Sequence, residues 1–267
     1  MLKDITLGQY FPGYTIVHRL DPRTKLLSVI VYIAALFLAK GFVSYGLMLL
    51  VLVLCVGLSR IRPAALFRGL KPLVFILLMT GVLNLFYTPG RTLAEFWIFR
   101  ITFEGVRNAA FMLLRIMMLV CGTFLLTYTT SPLSLTDGME RLLSPLKKIG
   151  VPVHELSMMM SIALRFIPTL IEETDKIMSA QRARGADFET GSLVRRAKAL
   201  LPILVPLFVS AFRRADELAV AMECRCYHGG EGRTRMKVLR MAARDGFALA
   251  FWACVLAAVI ALAAYGL

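Results

Sequence analysis

The sequence predicts an all-α, polytopic membrane protein with about five transmembrane helices and long cytoplasmic helices, and three observations carry that prediction. Of the 267 residues, 58% are hydrophobic and the mean hydropathy is +0.71, well above the roughly 45–50% apolar content of a soluble domain. The apolar residues gather in runs near the length of about 20 that crosses a bilayer. The 31 Lys+Arg, against 17 Asp+Glu, concentrate in alternate connections between those runs. So much apolar surface excludes disorder. It also speaks against a soluble nucleic-acid binder, so the net charge of +14 is read first as membrane topology. Five Cys without dense spacing do not make a disulfide scaffold. Met1 to Arg19 is polar, with Gly8, Pro12 and Gly13, and lacks the early apolar core of a cleavable signal peptide.

Taken in order, the first apolar run is Leu26–Ala39, short and closed by Lys40–Gly41. Phe42–Leu58 follows at once, so the two are expected as a tight helical hairpin. Pro72–Tyr87 is the third run, Gly105–Thr130 the fourth and longest, and Phe247–Leu267 the last. The N-terminal segment carries Lys3, Arg19, Arg23 and Lys25, and the second connection Arg60, Arg62, Arg68 and Lys71. The first connection has only Lys40, and the third has Arg91 and Arg100. By the positive-inside rule the N-terminus lies in the cytoplasm. Phe96, Trp97 and Phe99 in the third connection read equally as interfacial anchors or as packing residues. The expected organisation is a four-helix membrane domain over 1–130, cytoplasmic helices over 131–246 and a final transmembrane helix over 247–267.

Residues 131–246 hold 18 of the Lys+Arg and 13 of the acids. They are too charged to be further spans and too apolar to be a linker. His154–Ile171 and Ala199–Phe212 are apolar runs that read either as short spans or as surface-lying amphipathic helices, and they continue into the charged stretches Glu172–Arg184 and Arg213–Arg225. Two long helices are expected, with apolar starts buried against the bundle or headgroups and charged ends in the cytoplasm. Their ends match at an offset of 41: Asp175, Ile177, Ala180 and Arg184 correspond to Asp216, Leu218, Ala221 and Arg225. The Ala and the apolar residue, four and seven positions before the Arg, share its face. Gly185 follows the first end, and His228-Gly229-Gly230 the second. Each end alone reads as an ordinary C-capped helix. The pair reads as a duplicated Arg-tipped contact for a dimeric cytoplasmic partner, because Arg offers a planar fork of five donors.

Several ordered motifs make the chain resemble the transmembrane coupling subunit, or T component, of energy-coupling factor vitamin and metal transporters. They are Gly8-Gln9-Tyr10, His18-Arg19-Leu20-Asp21-Pro22-Arg23-Thr24-Lys25-Leu26, Thr129-Thr130-Ser131-Pro132, Gly138-Met139-Glu140 and Arg165-Phe166-Ile167-Pro168. The most specific are the two coupling signatures, Ala180-Gln181-Arg182-Ala183-Arg184-Gly185 and Ala221-Met222-Glu223-Cys224-Arg225-Cys226-Tyr227. The second has Cys-Arg-Cys where the first has Ala-Arg-Gly, keeping the Arg and changing its flanks.

The resemblance implies a non-catalytic subunit of an ATP-driven importer of vitamins or other micronutrients in the bacterial plasma membrane, with no cofactor of its own. Its partners would be two ABC-type ATPases, a small substrate-binding membrane subunit (the S component) and membrane lipids. Ala183, Arg184, Gly185, Cys224, Arg225 and Cys226 would dock the ATPases. The alternatives are a permease subunit dedicated to cobalt, nickel or biotin, a membrane-embedded enzyme, and a passive scaffold. Gly8-Gln9-Tyr10 leans toward the shared vitamin type.

Other residues read more plainly. Arg115, about ten residues into the fourth run, needs a partner at mid-membrane, and a structural pairing is favoured over a substrate role. Met158-Met159-Met160 suits a surface that repacks against several partners, or ordinary packing. Cys224 and Cys226 beside His228 lack the spacing of a metal site. Cys55, Cys121 and Cys254 fall in apolar runs and act as small apolar residues. There is no phosphate-binding Gly-Lys-Ser/Thr loop and no His-Glu-x-x-His. His18 is expected to order the N-terminus, and Gly229-Gly230-Glu231-Gly232 to be a flexible connection. Arg233, Arg235, Lys237, Arg240 and Arg244 form a basic stretch whose default partner is anionic lipid.

Overall fold

The computed structural model describes residues 10–89, 92–96, 99–188, 192–230 and 238–265. Lys3, Gly8, Gln9, Arg91, Trp97, Glu231, Gly232, Arg233, Arg235 and Lys237, which enter the sequence reading, lie outside the described residues. The chain forms two compact units, one built on Gly8–Gly138 with Leu239–Leu267 and the other on Met139–Val238.

In the first unit α1 (Pro22–Leu38) and α2 (Phe42–Ser59) are joined through Ala39–Gly41. Both pack on α5 (Phe103–Thr129) and α9 (Ala243–Ala264). Among the described residues, four apolar stretches have the length and composition to cross a membrane: Phe42–Ser59, Pro63–Tyr87, Phe103–Thr129 and Ala243–Ala264. The fifth expected span, Leu26–Ala39, is α1. Its 17 residues rise about 25 Å, short of the hydrocarbon thickness of about 30 Å.

The third run also differs from expectation. It begins at Pro63 rather than Pro72, as α3 (Pro63–Leu70), a 3₁₀ turn over Lys71–Leu73 and α4 (Val74–Tyr87). Pro72 has no N–H and crowds the carbonyl four residues back, which breaks the helix at that point. Between α4 and α5 lies an antiparallel hairpin, β1 (Thr92–Phe96) and β2 (Phe99–Thr102), in which Phe96 pairs with Phe99. This small sheet is the one departure from the all-α expectation among the described residues.

The core of this unit gathers Tyr32, Leu36, Met48, Met118 and Val259 from all four packed helices. Tyr32 donates its hydroxyl to the Met118 carbonyl (3.0 Å) and meets Trp252 edge to face at 5.7 Å. A Cβ on Gly122 would stand 2.3 Å from the Tyr32 ring. Helices in membranes approach closely at such small residues. Gly122→Ala is therefore expected to displace Tyr32 and lower stability by about 1–3 kcal/mol. A thermal melt in detergent checks this, and an unchanged melting temperature would contradict it.

The Asp21-Pro22-Arg23-Thr24-Lys25 motif is a clasp between chain segments distant in sequence. Asp21 caps α1 by accepting the Arg23 N–H (2.9 Å), and Pro22 suits the first helical turn, where an N–H has no partner anyway. The Arg23 guanidinium donates to the Leu239 carbonyl (3.3 Å), and Lys25 Nζ donates to the carbonyls of His18 (3.2 Å) and Thr129 (2.9 Å). The Asp21 N–H donates to Asp245 of α9 (2.8 Å). The motif thereby ties the starts of α1 and α9 to the end of α5. Gly138 joins the same region, since a Cβ there would lie 2.9 Å from Pro22.

Arg115 of α5 donates to the Ala39 carbonyl (3.2 Å) at the end of α1, and its guanidinium lies 5.6 Å from the Tyr45 ring and 5.9 Å from that of Phe37. A helix C-terminus and two aromatic faces thus receive the charge, a structural pairing.

The second unit is dominated by two 31-residue helices packed on each other, α7 (Val153–Ala183) and α8 (Leu193–Glu223). Each is about 46 Å long, and neither is apolar enough over its length to count among the candidate spans. α6 (Pro132–Leu143) leads into this unit. Glu140 accepts from His154 Nδ1 at 2.9 Å. A Cβ on Gly230 would lie 2.5 Å from the His154 ring, and Gly229 has φ +97°. Gly230 therefore packs against His154, while Glu231 and Gly232 of the expected flexible connection lie outside the described residues.

Candidate functional site

Both signature Arg residues sit at the ends of the two long helices, and the main chain there is built the same way twice. At the end of α7, Gly185 adopts φ +86°, its N–H donates to the Arg182 carbonyl (2.9 Å), and the Ala186 N–H donates to Gln181 (3.0 Å). At the end of α8, Cys226 adopts φ +54°, its N–H donates to Glu223 (2.9 Å), and the Tyr227 N–H donates to Met222 (3.1 Å). These are two Schellman closures, and every donor and acceptor in one lies 41 residues from its counterpart in the other. Arg184 and Arg225 occupy the same place in each, immediately before the left-handed residue. Ala183, Arg184, Gly185, Cys224, Arg225 and Cys226 are all exposed.

The sequence change from Ala-Arg-Gly to Cys-Arg-Cys therefore leaves the backbone of the hook intact. It does place a side chain where glycine is preferred, at a cost of about 1 kcal/mol. Cys226→Gly is expected to relieve that strain, partly offset by the freer unfolded chain, and to slow hydrogen exchange at the Tyr227 amide. Faster exchange there would contradict the assignment.

The two helices meet at positions that are themselves 41 apart. Arg214 of α8 donates to Glu173 of α7 at 2.8 Å. Contact between equivalent positions places a local pseudo-two-fold relation at the crossing. Each signature Arg stands 11 residues beyond its member of the pair, from 173 to 184 and from 214 to 225, or about 16 Å along the helix. The ion pair is partly exposed and contributes at most about 1 kcal/mol. Its value is geometric, since it sets the register of two similar arms. The offset of 41 was legible in the sequence, but nothing local marked Glu173 and Arg214 as partners.

The arms are thinly packed. Val153 of α7 and Ile203 of α8 are their buried apolar residues among those described. Leu201, Val205, Phe208 and Phe212 form an exposed apolar stripe on α8, with Phe208 61% and Phe212 68% exposed. Met159 and Met160 are also exposed on α7, while Met158 is half-buried. Contiguous exposed apolar stripes of this kind are found at protein–protein and membrane contacts.

Away from the hooks, His18 orders the N-terminal loop. Its Nδ1 pairs with the Thr15 hydroxyl (2.6 Å) and its Nε2 with the Phe11 carbonyl (3.1 Å). Burial pushes its pKa down, opposed by the Phe11 hydrogen bond. A carbonyl accepts only, so Nε2 carries the proton and Nδ1 accepts from Thr15. Among the described residues no three His, Cys, Asp or Glu side chains converge as a metal-binding group.

A bundle of membrane-crossing helices in the same chain as two equivalently capped, Arg-tipped helices defines a multi-pass membrane protein. The sequence pattern of the family described as "Cobalt transport protein" matches residues 13–236. A protein of Thermosediminibacter oceani named energy-coupling factor transporter transmembrane protein is 56% identical over 91% of this chain and 92% of its own length. Proteins of the same name from Bacillus subtilis (50% identical; 92% of this chain, 93% of the relative) and Lactococcus lactis (46%; 91% and 92%) are similar over the same extent. The chain belongs to the family of energy-coupling factor transporter transmembrane proteins, within the broader cobalt transport protein family.

Proposed function

We propose that this chain is the transmembrane coupling subunit of an energy-coupling factor importer. In this reading Arg184 and Arg225, with their flanking Ala183, Gly185, Cys224 and Cys226, each dock in a groove of one of two ABC-type ATPases. The ATPases bind and hydrolyse ATP, and α7 and α8 carry the resulting motion to a small substrate-binding membrane subunit. The observation that carries this reading is the repeated hook: one backbone closure at two helix ends, presenting one exposed Arg each, as two copies of a partner would require. The open apolar stripe on α8 and the exposed Met residues on α7 support an apolar partner for the arms.

Residues 1–130 and 247–267 would form the membrane part and 131–246 the coupling part, in the bacterial plasma membrane with the N-terminus in the cytoplasm. Relatives named for the energy-coupling factor transporter, at 46–56% identity over nine-tenths of the chain, favour this over a permease dedicated to cobalt, nickel or biotin. Affinity purification of the tagged chain from native membranes tests the partnership. An ATPase pair and a small membrane protein in the eluate are expected. An eluate with neither, from membranes in which other complexes survive, would contradict it.

A further inference from the structure

An open cavity of about 380 Å³ lies in the membrane bundle among α1, α2, α5 and α9. α1 and α9 begin at this end of the bundle, and α2 and α5 finish there. The cavity is graded along that axis. Lys25, Thr129 and Arg244 line it near the helix ends, and Val29, Leu54, Gly122 and Trp252 line it deeper in. Ser28, nearly two turns inside α1, is 8% exposed and lines the cavity between its cationic rim and its apolar depth.

The residues that line the mouth include two cations, Lys25 and Arg244, and no carboxylate. Arg244 is exposed. Lys25 gives two N–H groups to the His18 and Thr129 carbonyls and has a third to give. The carboxylates that act on Lys25 are those of Asp245 and Asp21. Both are tied to main-chain N–H groups: Asp245 to those of Asp21 and Ala242, and Asp21 to that of Arg23. A polar, cationic rim over an apolar shaft matches an amphiphile with an anionic head, and the shaft belongs to helices that contact hydrocarbon.

We propose that this cavity is a binding site for a single anionic phospholipid. The phosphate meets Arg244 and Lys25 at the rim, and one acyl chain runs inward along Leu126, Phe251 and Trp252. The lipid would fill the gap between α9 and its neighbours, so it acts as a structural part of the bundle. This goes beyond a basic segment lying on a charged membrane, because the site selects one molecule and takes up its chain.

The test is native mass spectrometry of the full chain, delipidated in mild detergent and titrated with phosphatidylglycerol, with phosphatidylcholine of the same acyl chains, and with glycerol 3-phosphate. The wild type is expected to hold one phosphatidylglycerol in preference to phosphatidylcholine, and not to hold glycerol 3-phosphate. Arg244→Gln, at an exposed position, is expected to weaken phosphatidylglycerol about fivefold, the effect of one basic residue at an anionic surface. Ala248→Trp, which fills the shaft, is expected to abolish retention. Equal retention of the two lipids, binding of glycerol 3-phosphate as tight as that of the lipid, undiminished retention by both variants, or a lipid-free dimer of the chain would each overturn the proposal.

Discussion

A chain carrying both Arg184→Ala and Arg225→Ala is expected to keep its fold and to lose the ATPases of the proposed complex. The fold survives because the left-handed turn of each hook is closed by main-chain hydrogen bonds, which alanine at an exposed helix end leaves in place. In the proposed complex each substitution leaves an ATPase groove without its Arg, so binding is expected to fail. Removing one partner of a buried charged contact costs about 2–5 kcal/mol. That weakens binding by a factor of about 30 to several thousand per hook. Two hooks on linked arms bind partly as one unit, so each single variant should show an intermediate loss and the double variant the full one. Circular dichroism and melting temperature close to wild type, with no co-purifying ATPase, are expected. Full ATPase recovery with the double variant would place the contact elsewhere.

The second large effect lies in the membrane unit. Asp245 is 1% exposed, and its two oxygens accept the N–H groups of Asp21 and Ala242, each at 2.8 Å. One bond caps α9 and the other joins α9 to the N-cap of α1. Asp245→Ala strands both N–H groups in a buried place and removes two bonds to a charged acceptor, each worth about 1.5–3 kcal/mol. A loss on the order of 3–5 kcal/mol is expected, enough to reduce the yield of folded protein. Asp245→Asn keeps the shape and one accepting oxygen and should lose less. Melting temperatures of the three proteins in one detergent check the order, and an alanine variant as stable as wild type would contradict the clasp.

How far these features could be read beforehand depended on whether their cause was local. The end of α7 was expected at Arg184 and lies at Ala183, because Gly185 marks the stop. α8 begins six residues before the expected Ala199, at Leu193, where Ser192 caps it by accepting the Arg195 N–H (3.4 Å). Its first six residues, Leu193-Val194-Arg195-Arg196-Ala197-Lys198, carry three basic side chains, which mask the start of the apolar run. The hook after Glu223 was legible as a repeat of Arg184, but its closure was not, because Cys is no sign of a left-handed residue. The hairpin between α4 and α5 was missed, since strands of five and four residues are too short for alternation to stand out. The clasp residues were noticed as a motif, yet the partner of Asp21 is 224 residues away. Only the fold brings Asp245 to it, and the same is true of Glu173 and Arg214.

The central claim is that two equivalent Arg tips couple this membrane chain to a pair of ATPases. The most direct measurement is ATPase activity in affinity eluates from detergent-solubilised membranes, comparing wild type with the Arg184→Ala/Arg225→Ala variant at matched recovery of the chain. Activity with wild type and none with the variant is the predicted result. Equal activity with both would contradict the role of the tips, and none with either, in membranes whose other complexes survive, would contradict the partnership itself.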